Sequence, residues 1–507
     1  MRTMQFLQRY TEPWDEFRHV ISAEKYAQLE LSGSPFQPLS SAELLRVKMR
    51  VAVVRLAEKL LGAPLYTANE YRELATLEPR ARNLLLKLIQ DGLVVRWRLG
   101  QATHDLPYVA SCNLTLRGIT LPTGKVVRMS GSTGGGVGRS ASEALVPALG
   151  ELLERYSMTQ WCKEEIVRGA YEALRAAGAV DPKQFSFYSE AQLARGEFAI
   201  NRIRYDAPLG WVRAQSLLEQ KRVLVPAQLA YAFYEEVHPR ETQFWHASSS
   251  GVAAGRTETD AAVRAILEAI ERDAFMIFWQ NRMTPQRVQL ETIPDAEVRR
   301  LVDECKRYRL ELHILGCTTD FGLPTFVSVM VDRHGGPPFT VSATCDFDPI
   351  VAIRKATWEA VKFMRTPPNA TDSTLSPKRI LTIADRHRFL STLKPEYVDF
   401  LLEGEEVSYN EIVARHRVDT SGERIEVLTR LLKEKGYPCY LVDLTSPEAR
   451  DAELSVVRAI IPDLVPIHFR EAKPYLGVRR LYEVPQRMGY RGAQDETEIN
   501  PAPHPFL

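Results

Sequence analysis

Hydrophobic positions change their spacing along this chain, and the spacing predicts the elements. AELLRVKMRVAVVRLAEKLLG (42–62) carries apolar residues every three to four positions and stops on Gly62, the pattern of an amphipathic helix. A second helical run covers Ala81–Asp91 and leads into an apolar Leu-Val-Val. Short helices closing on an apolar hairpin describe a small, mostly helical, winged-helix-like N-terminal region. No basic patch accompanies it, so the pattern favours protein contact or plain structure over DNA binding. Farther along, continuous apolar runs at Leu310–Gly316, Pro324–Val331 and Phe339–Ala343 read as strands, interleaved with helical runs at 259–279 and 294–309. Arg424–Lys435 reads as a helix stopped by Gly436, followed by the strand CYLVDL. This order predicts an α+β fold, a mixed α/β domain with a sizeable sheet. The turn-rich stretches 365–376 and 403–423 and the tail after Pro485 read as the least ordered parts.

One pattern occurs twice. GRSASEALVPALGELLER (Gly138–Arg155) and GRTETDAAVRAILEAIER (Gly255–Arg272) align without a gap, each after a turn-prone run, GSTGGGV and SSSGVAA. Ser140 and Thr257 stand at helix N-cap positions with Glu143 and Asp260 three residues on, which is capping-box spacing. An internal pseudo-repeat of turn, cap and acidic helix predicts two half-sites facing one ligand.

Composition narrows the classes. The chain has 507 residues and a formal charge of +1, giving no bulk attraction to nucleic acid or to anionic membranes. No apolar run is long enough to span a bilayer, and the N-terminus lacks a secretory pattern. Six cysteines without C-x-x-C spacing argue against a zinc site or a disulfide framework, so a cytoplasmic location is expected.

The repeated helices carry the candidate chemistry. Glu151 and Glu154, like Glu268 and Glu271, are three apart and share a helix face. Like charges side by side call for a cation, either Arg155 and Arg272 or a metal. A salt-bridged surface face is the plain alternative. Hard carboxylates without Cys or His point to Mg²⁺, which is usually held by few carboxylates and completed by phosphates and water. Four acids on two facing helices suit Mg²⁺ bridging to ATP, with Arg155 and Arg272 contacting phosphate oxygens. A Walker motif is absent.

ALGELLERYS, SSGVAAGRTETDAAVRAILEAIERDA and DPIVAIRKATWEA (with Glu359 inside it) resemble the three signatures of YcaO-domain proteins, over roughly residues 106 to 507. The resemblance implies an ATP- and Mg²⁺-dependent cyclodehydratase. Such an enzyme phosphorylates a backbone amide oxygen of a ribosomal precursor peptide, and a Cys, Ser or Thr side chain closes a thiazoline or oxazoline ring. It makes Glu151, Glu154, Glu268 and Glu271 the Mg²⁺ ligands and places Ser140, Asp260 and Arg272 at the nucleotide, with Arg365 as a weaker candidate for a phosphate contact; Arg155 joins them from the residue reading alone. Two positions depart from the family: Val137 stands where a Lys is common, and Arg256 where an Asn is; Lys355 replaces the usual Arg of the third signature.

The end of the chain, NPAPHPFL, resembles the P-x-P-x-P tail of azoline-forming members, which implies that the Leu507 carboxylate is a general base at the active site; His504 is a competing but weaker base. The expected division is an N-terminal helical region (1–105), a YcaO-like ATP-binding catalytic domain (106–485) and a Pro-rich tail (486–507) reaching the active site. The resemblance further implies an oligomer and a separate leader-peptide-binding, ThiF-like partner. An FMN-dependent azoline dehydrogenase is a further partner it allows. A thioamide-forming enzyme and a non-catalytic scaffold of the same fold are the alternatives.

Overall fold

The computed structural model describes most of residues 77–507; segments 101–106, 128–132, 197–200, 334–337, 365–379 and 469–472, several shorter stretches and Leu507 fall outside the description. The helix expected at 42–62, and with it most of the winged-helix-like region, lies outside the described residues. The chain divides into two compact units, Met1–Arg96 and Trp97–Leu507.

In the first unit the described part is α1 (Pro79–Gln90), which leads into β1 (Val94–Leu99) at the division. Pro79 pre-sets the first helical φ, and the Glu78 carboxylate accepts from the amides of Arg80 and Ala81 at 3.0 and 2.8 Å.

The second unit has two large sheets, a short two-stranded pairing of Ile119–Thr120 with Val126–Val127, and a smaller ribbon. The ribbon pairs β2 (Ala110–Leu116) antiparallel with β3 (Gly134–Gly138), which runs into α2 (Ala141–Ser157). One large sheet follows the order β4 (Val167–Ala170), β5 (Pro208–Ser216), β13 (Tyr440–Asp443), β14 (Ser455–Ile460), β7 (Val252–Gly255), with β6 (Lys221–Pro226) also on β5. All its pairs are antiparallel. From β7 the chain enters α3 (Glu258–Gln280). The other sheet runs β11 (Phe339–Cys345), β10 (Thr325–Val331), β9 (Glu311–Gly316), β8 (Gln286–Val288), β12 (Glu406–Val407). Across its face lie α4 (Ala296–Arg307) and α5 (Pro349–Met364), whose apolar sides share a core with Ile314, Phe326 and Met330. The strands β10 and β11 are buried at every position, which explains their unbroken apolar runs. Among the later helices are α6 (Arg424–Lys435), closed by Gly436 in the left-handed region at φ 73°, and α7 (Arg480–Arg487).

The helix α3 is the central element of the second unit. Most of its residues are buried, and it packs on β7, β14, β11, α6 and α7. Its Asp273 is fully buried and tied to Arg480 of α7, with Nη2 and Oδ2 at 2.6 Å; Arg480 also reaches Asp320 at 2.8 Å.

Two stretches are more ordered than the sequence suggests. The 403–423 region contains β12 and a helix over Tyr409–Arg415, with Val407 and Ile412 in the core. The tail after Pro485 is packed rather than loose. Asn500 caps the C-terminus of α3 by donating to the carbonyls of Gln280 (from its backbone amide, 2.7 Å) and Trp279 (from Nδ2, 3.1 Å). Stiff alternating prolines then hold an extended path back along α3. Trp279 Nε1, Tyr397 Oη and Arg386 Nη1 donate to the carbonyls of Ala502, Pro503 and His504 at 3.0, 2.7 and 2.8 Å. His504 is fully buried, and burial first, then the charges of Arg386 and His468, hold it neutral, so it serves the packing of the tail.

Candidate active site

The repeat is real in three dimensions, and it has a third copy. Both recognised copies are a strand, a two-residue turn and a capped helix. The Ser140 hydroxyl accepts from the Glu143 amide at 3.2 Å, and Thr257 from the Asp260 amide at 3.1 Å. Glu143 and Asp260 reach back to the amides of Arg139 and Arg256 at 3.0 and 3.1 Å, one residue before the cap. The unit β11–α5 repeats this plan with Asp348 as the cap, its carboxylate accepting from the amide of Ile350 at 2.8 Å. Counted from each cap, the eleventh residue is Glu151, Glu268 and Glu359; the fourteenth is Glu154, Glu271 and Lys362.

These residues interlock in a cycle. Glu154 of α2 accepts from the Ala254 amide of β7 at 2.7 Å. Glu271 of α3 accepts from the Cys345 amide of β11 at 3.2 Å. Lys362 of α5 reaches β3, because a Cβ built on Gly135 would strike its Nζ and lie 3.3 Å from Glu151 Oε2. Glu151 accepts from the Gly135 amide, and Ser342 Oγ donates to Glu359 at 2.7 Å.

Arginines lie among the acids. Arg155 pairs with Glu151 at 2.5 Å, and Arg272 with Glu268 at 3.3 Å and Glu271 at 3.0 Å. They do not neutralise the cluster. Burial, then the charges of Glu268 and Glu151, push Glu154 up to about 8. Burial, then Glu268 and Glu359, push Glu271 up to about 8 as well, although Arg272 opposes it. Glu268 is raised by burial too. On the far side, Arg458 of β14 is 3% exposed, and burial lowers its guanidinium to about 10.

The tail ends in this cluster. Phe506 bridges to Val341 of β11, packs with its ring tilted 4.9 Å from that of Phe275, and lies under the Arg272 guanidinium, 4.3 Å from ring to cation.

Glu151, Glu154, Glu268, Glu271, Arg155 and Arg272 are therefore brought together. Ser140 and Asp260 are not: they stand at the helix N-termini, eight or more residues and so roughly 12 Å or more along the axes from the acids. Arg365 and Leu507 lie outside the described residues. Val137 is partly buried against the α5 core, Arg256 is exposed, and Lys355 pairs with Asp346 at 3.2 Å. Five described cysteines are free and buried, and burial raises the thiols of Cys112 and Cys305 to about 12, so they stay protonated.

Lys362 and Arg458 are missing from the sequence reading. The first was signalled by its place fourteen residues after a cap, but a lysine there hides the third copy from a search for acids. The second was signalled only as a lone arginine in the apolar strand SVVRAI.

The profile of the family described as YcaO cyclodehydratase, ATP- and Mg²⁺-binding, matches residues 135–465. The chain belongs to the YcaO family. It is 25% identical over 342 residues to an uncharacterized protein of Methanothermobacter thermautotrophicus, covering 65% of this chain and 80% of that one. It is 27% identical over 268 residues to an uncharacterized protein in the tfuA 3′ region of Rhizobium leguminosarum bv. trifolii, covering 51% and 61%.

Among solved structures, a heterocyclase in complex with substrate and cofactor superposes with TM-score 0.67 at 22% identity, over 84% of this chain and 57% of that one. The heterocyclase TruD gives 0.57 at 24%, over 72% and 51%. The YcaO protein of Methanopyrus kandleri bound with AMPPCP and Mg²⁺ gives 0.52 at 19%, over 76% and 91%. These likenesses establish the mixed α+β fold. This YcaO chain spans about half the length of the two heterocyclases. Among the described residues no helix is long and apolar enough to cross a membrane.

Proposed function

We propose that this YcaO protein is an ATP- and Mg²⁺-dependent peptide cyclodehydratase. The observation that carries the reading is the set of paired glutamates on α2 and α3, under-neutralised and closed at one end by the tail on Arg272. Among the described residues no three His, Cys, Asp or Glu side chains are gathered tightly enough to hold a metal directly. The donors nevertheless fit Mg²⁺, which takes one or two carboxylates and keeps waters and phosphate oxygens for the rest. The raised proton affinity of Glu154, Glu268 and Glu271 comes first from burial and then from neighbouring carboxylates, which a cation would offset. Glu151, Glu154, Glu268 and Glu271 would hold the ion, which lets a nucleotide triphosphate approach an acidic wall. Arg272 and Arg155 are suited to phosphate oxygens in bidentate fashion.

The chain's own contribution is then positioning and charge stabilisation. A Cys, Ser or Thr of the peptide attacks the preceding amide carbon. The amide oxygen takes the γ-phosphoryl group of ATP and leaves as phosphate, and an azoline remains. The Leu507 carboxylate, next after Phe506 in sequence, is the candidate base for the proton lost in ring closure. The reading includes a precursor peptide and a separate leader-binding partner.

The deciding experiment incubates the protein with Mg-ATP, a precursor peptide and that partner, and follows the peptide by mass spectrometry. Loss of one water per ring is expected. Phosphate release without a mass change sinks the reading, and exchange of oxygen for sulfur in the presence of sulfide replaces it with thioamide formation.

Two further outcomes follow. Glu154 and Glu271 hold their protons more tightly in the fold than in the unfolded chain, where the carboxyl titrates near 4.5. The contribution of these two groups to folded stability without metal is therefore full below about 4.5 and is lost as pH rises through about 8. Mg²⁺ binds the deprotonated acids, so it should raise the melting temperature at pH 8.5 and have little effect at pH 5.5. Thermal unfolding with and without Mg²⁺ across this range checks it; an equal shift at both pH values would contradict it.

Lys362 faces Glu151 from the third copy, and it is placed to supply the phosphate-binding charge that Val137 lacks. Lys362→Met is expected to raise the KM for ATP about tenfold with kcat nearly unchanged, and Lys362→Glu to raise it further. Steady-state kinetics and nucleotide titration measure both.

A further inference from the structure

The tail meets the edge of β11, and the register of that edge fixes where each backbone amide points. β11 is the last strand of its sheet and pairs antiparallel with β10. At either end of this ladder the Asp346 amide donates to the Pro324 carbonyl and the Asp332 amide to the Pro338 carbonyl, both at 3.1 Å. Hydrogen-bonded pairs alternate along an antiparallel ladder, so Thr340, Ser342 and Thr344 turn their amides and carbonyls toward β10. The amides of Val341, Ala343 and Cys345 therefore point outward. The Cys345 amide does so, donating to Glu271 of α3 at 3.2 Å.

The outer two of these three positions are taken. Glu271 holds Cys345, and Phe506 bridges in parallel to Val341. Since the polar groups of Thr340 and Ser342 face β10, a bridge at Val341 runs through that residue's own amide and carbonyl. Ala343 lies between, 3% exposed, and among the described residues no acceptor meets its amide. A buried backbone N–H is rarely left without an acceptor. In a parallel ladder the amide two residues beyond the bridged one faces the carbonyl oxygen of the residue after the bridging one. Beyond Phe506 only Leu507 remains, and its oxygens are the C-terminal carboxylate.

We infer that the backbone amide of Ala343 holds the C-terminal carboxylate of Leu507 and orients it toward the acid cluster. Ala343 is thus a positioning residue that acts through the terminus. The Cys345 amide held by Glu271 is two residues, or about 7 Å, farther along the strand. Carboxylates this close repel, and a hydrogen bond from the amide favours the charged form and keeps the terminus in place. One oxygen is held, and the other is left for a substrate proton. Only the carboxylate's role as base rests on the cyclodehydratase reading.

Two measurements on the full chain test the contact. Amide hydrogen exchange, resolved to single residues, follows Ala343 with and without Leu507. Removing Leu507 is expected to speed exchange at Ala343 about tenfold or more and to leave Cys345 unchanged. Equal exchange at Ala343 in both chains overturns the inference. Ala343→Pro deletes the donor at an edge position that tolerates proline, and Ala343→Gly keeps it. Ring formation should fall about tenfold or more in Ala343→Pro at an unchanged KM for ATP, and stay near the parent rate in Ala343→Gly. Adding Ala343→Pro to the chain that lacks Leu507 should cause no further loss. Additive losses, or a raised KM for ATP, overturn the inference. Should Ala343→Pro fail to fold, hydrogen exchange decides. Leu507-dependent protection of Ala343 in a protein that forms no rings upholds the contact and removes the cyclodehydratase reading, so the two fail separately.

Discussion

Glu268→Gln combined with Glu271→Gln is expected to abolish Mg-ATP-dependent turnover, a loss of about a thousandfold or more, while the fold survives. The reason lies in the protonation of the site. Burial and mutual repulsion already favour the neutral carboxyl, to about 8 for Glu271, and a glutamine side chain imitates that neutral form in size. Its carbonyl oxygen can still accept from the Cys345 amide, as Glu271 does at 3.2 Å. Above pH 8 the metal-free variant sheds repulsion with Glu154 and Glu359 but leaves the buried Arg272 without the carboxylates it meets at 3.3 and 3.0 Å, so it should melt below the parent. What it cannot do is place negative charge opposite a cation. Stabilisation by Mg²⁺ should disappear along with turnover. A variant that lost activity but kept the full Mg²⁺-dependent rise in melting temperature would move the metal elsewhere.

Deletion of Pro501–Leu507 is the second large effect, and it acts on stability and activity together. The deletion uncovers Phe275 and the Arg272 face, and strips acceptors from Trp279 Nε1, Tyr397 Oη and Arg386 Nη1. Loss of a buried phenylalanine alone costs about 3–5 kcal/mol, and each buried donor left unpaired adds about 1–3 kcal/mol. The expected outcome is a drop of about 5 kcal/mol or more in denaturant unfolding, with no ring formation. Phe506→Ala separates the parts: it keeps the backbone acceptors and removes the ring under Arg272. It should cost about 3 kcal/mol and weaken nucleotide binding. Removing Leu507 alone should leave stability and nucleotide binding unchanged. Ring formation should fall about a hundredfold or more if its carboxylate takes the proton; an unchanged rate removes it from that role.

Much of the fold was legible because local physics decided it. The helix at Arg424–Lys435 begins and ends where its amphipathic run and Gly436 place it. The strands at 311–316, 325–331 and 339–345 were visible as apolar runs, each within two residues of its expected bounds. Composition alone reads the tail as loose, because a proline-rich sequence reports only a missing tendency to pair, while the family resemblance brings it to the active site. Its order comes from carbonyls that accept bonds from Trp279, Tyr397 and Arg386, residues more than a hundred positions away.

The same division runs through the site. The sequence by itself determined the two capped helices and their paired glutamates, because cap, period and acid spacing are properties of a single helix. Only the tertiary structure decided that Glu154 leans on β7, Glu271 on β11 and Lys362 on β3, which joins three copies of one unit into a cycle. It also set the charge balance. Proton affinities near 8 for Glu154 and Glu271 arise from burial and from acids on other helices, and a local pattern carries no information about dielectric or about neighbours distant in sequence.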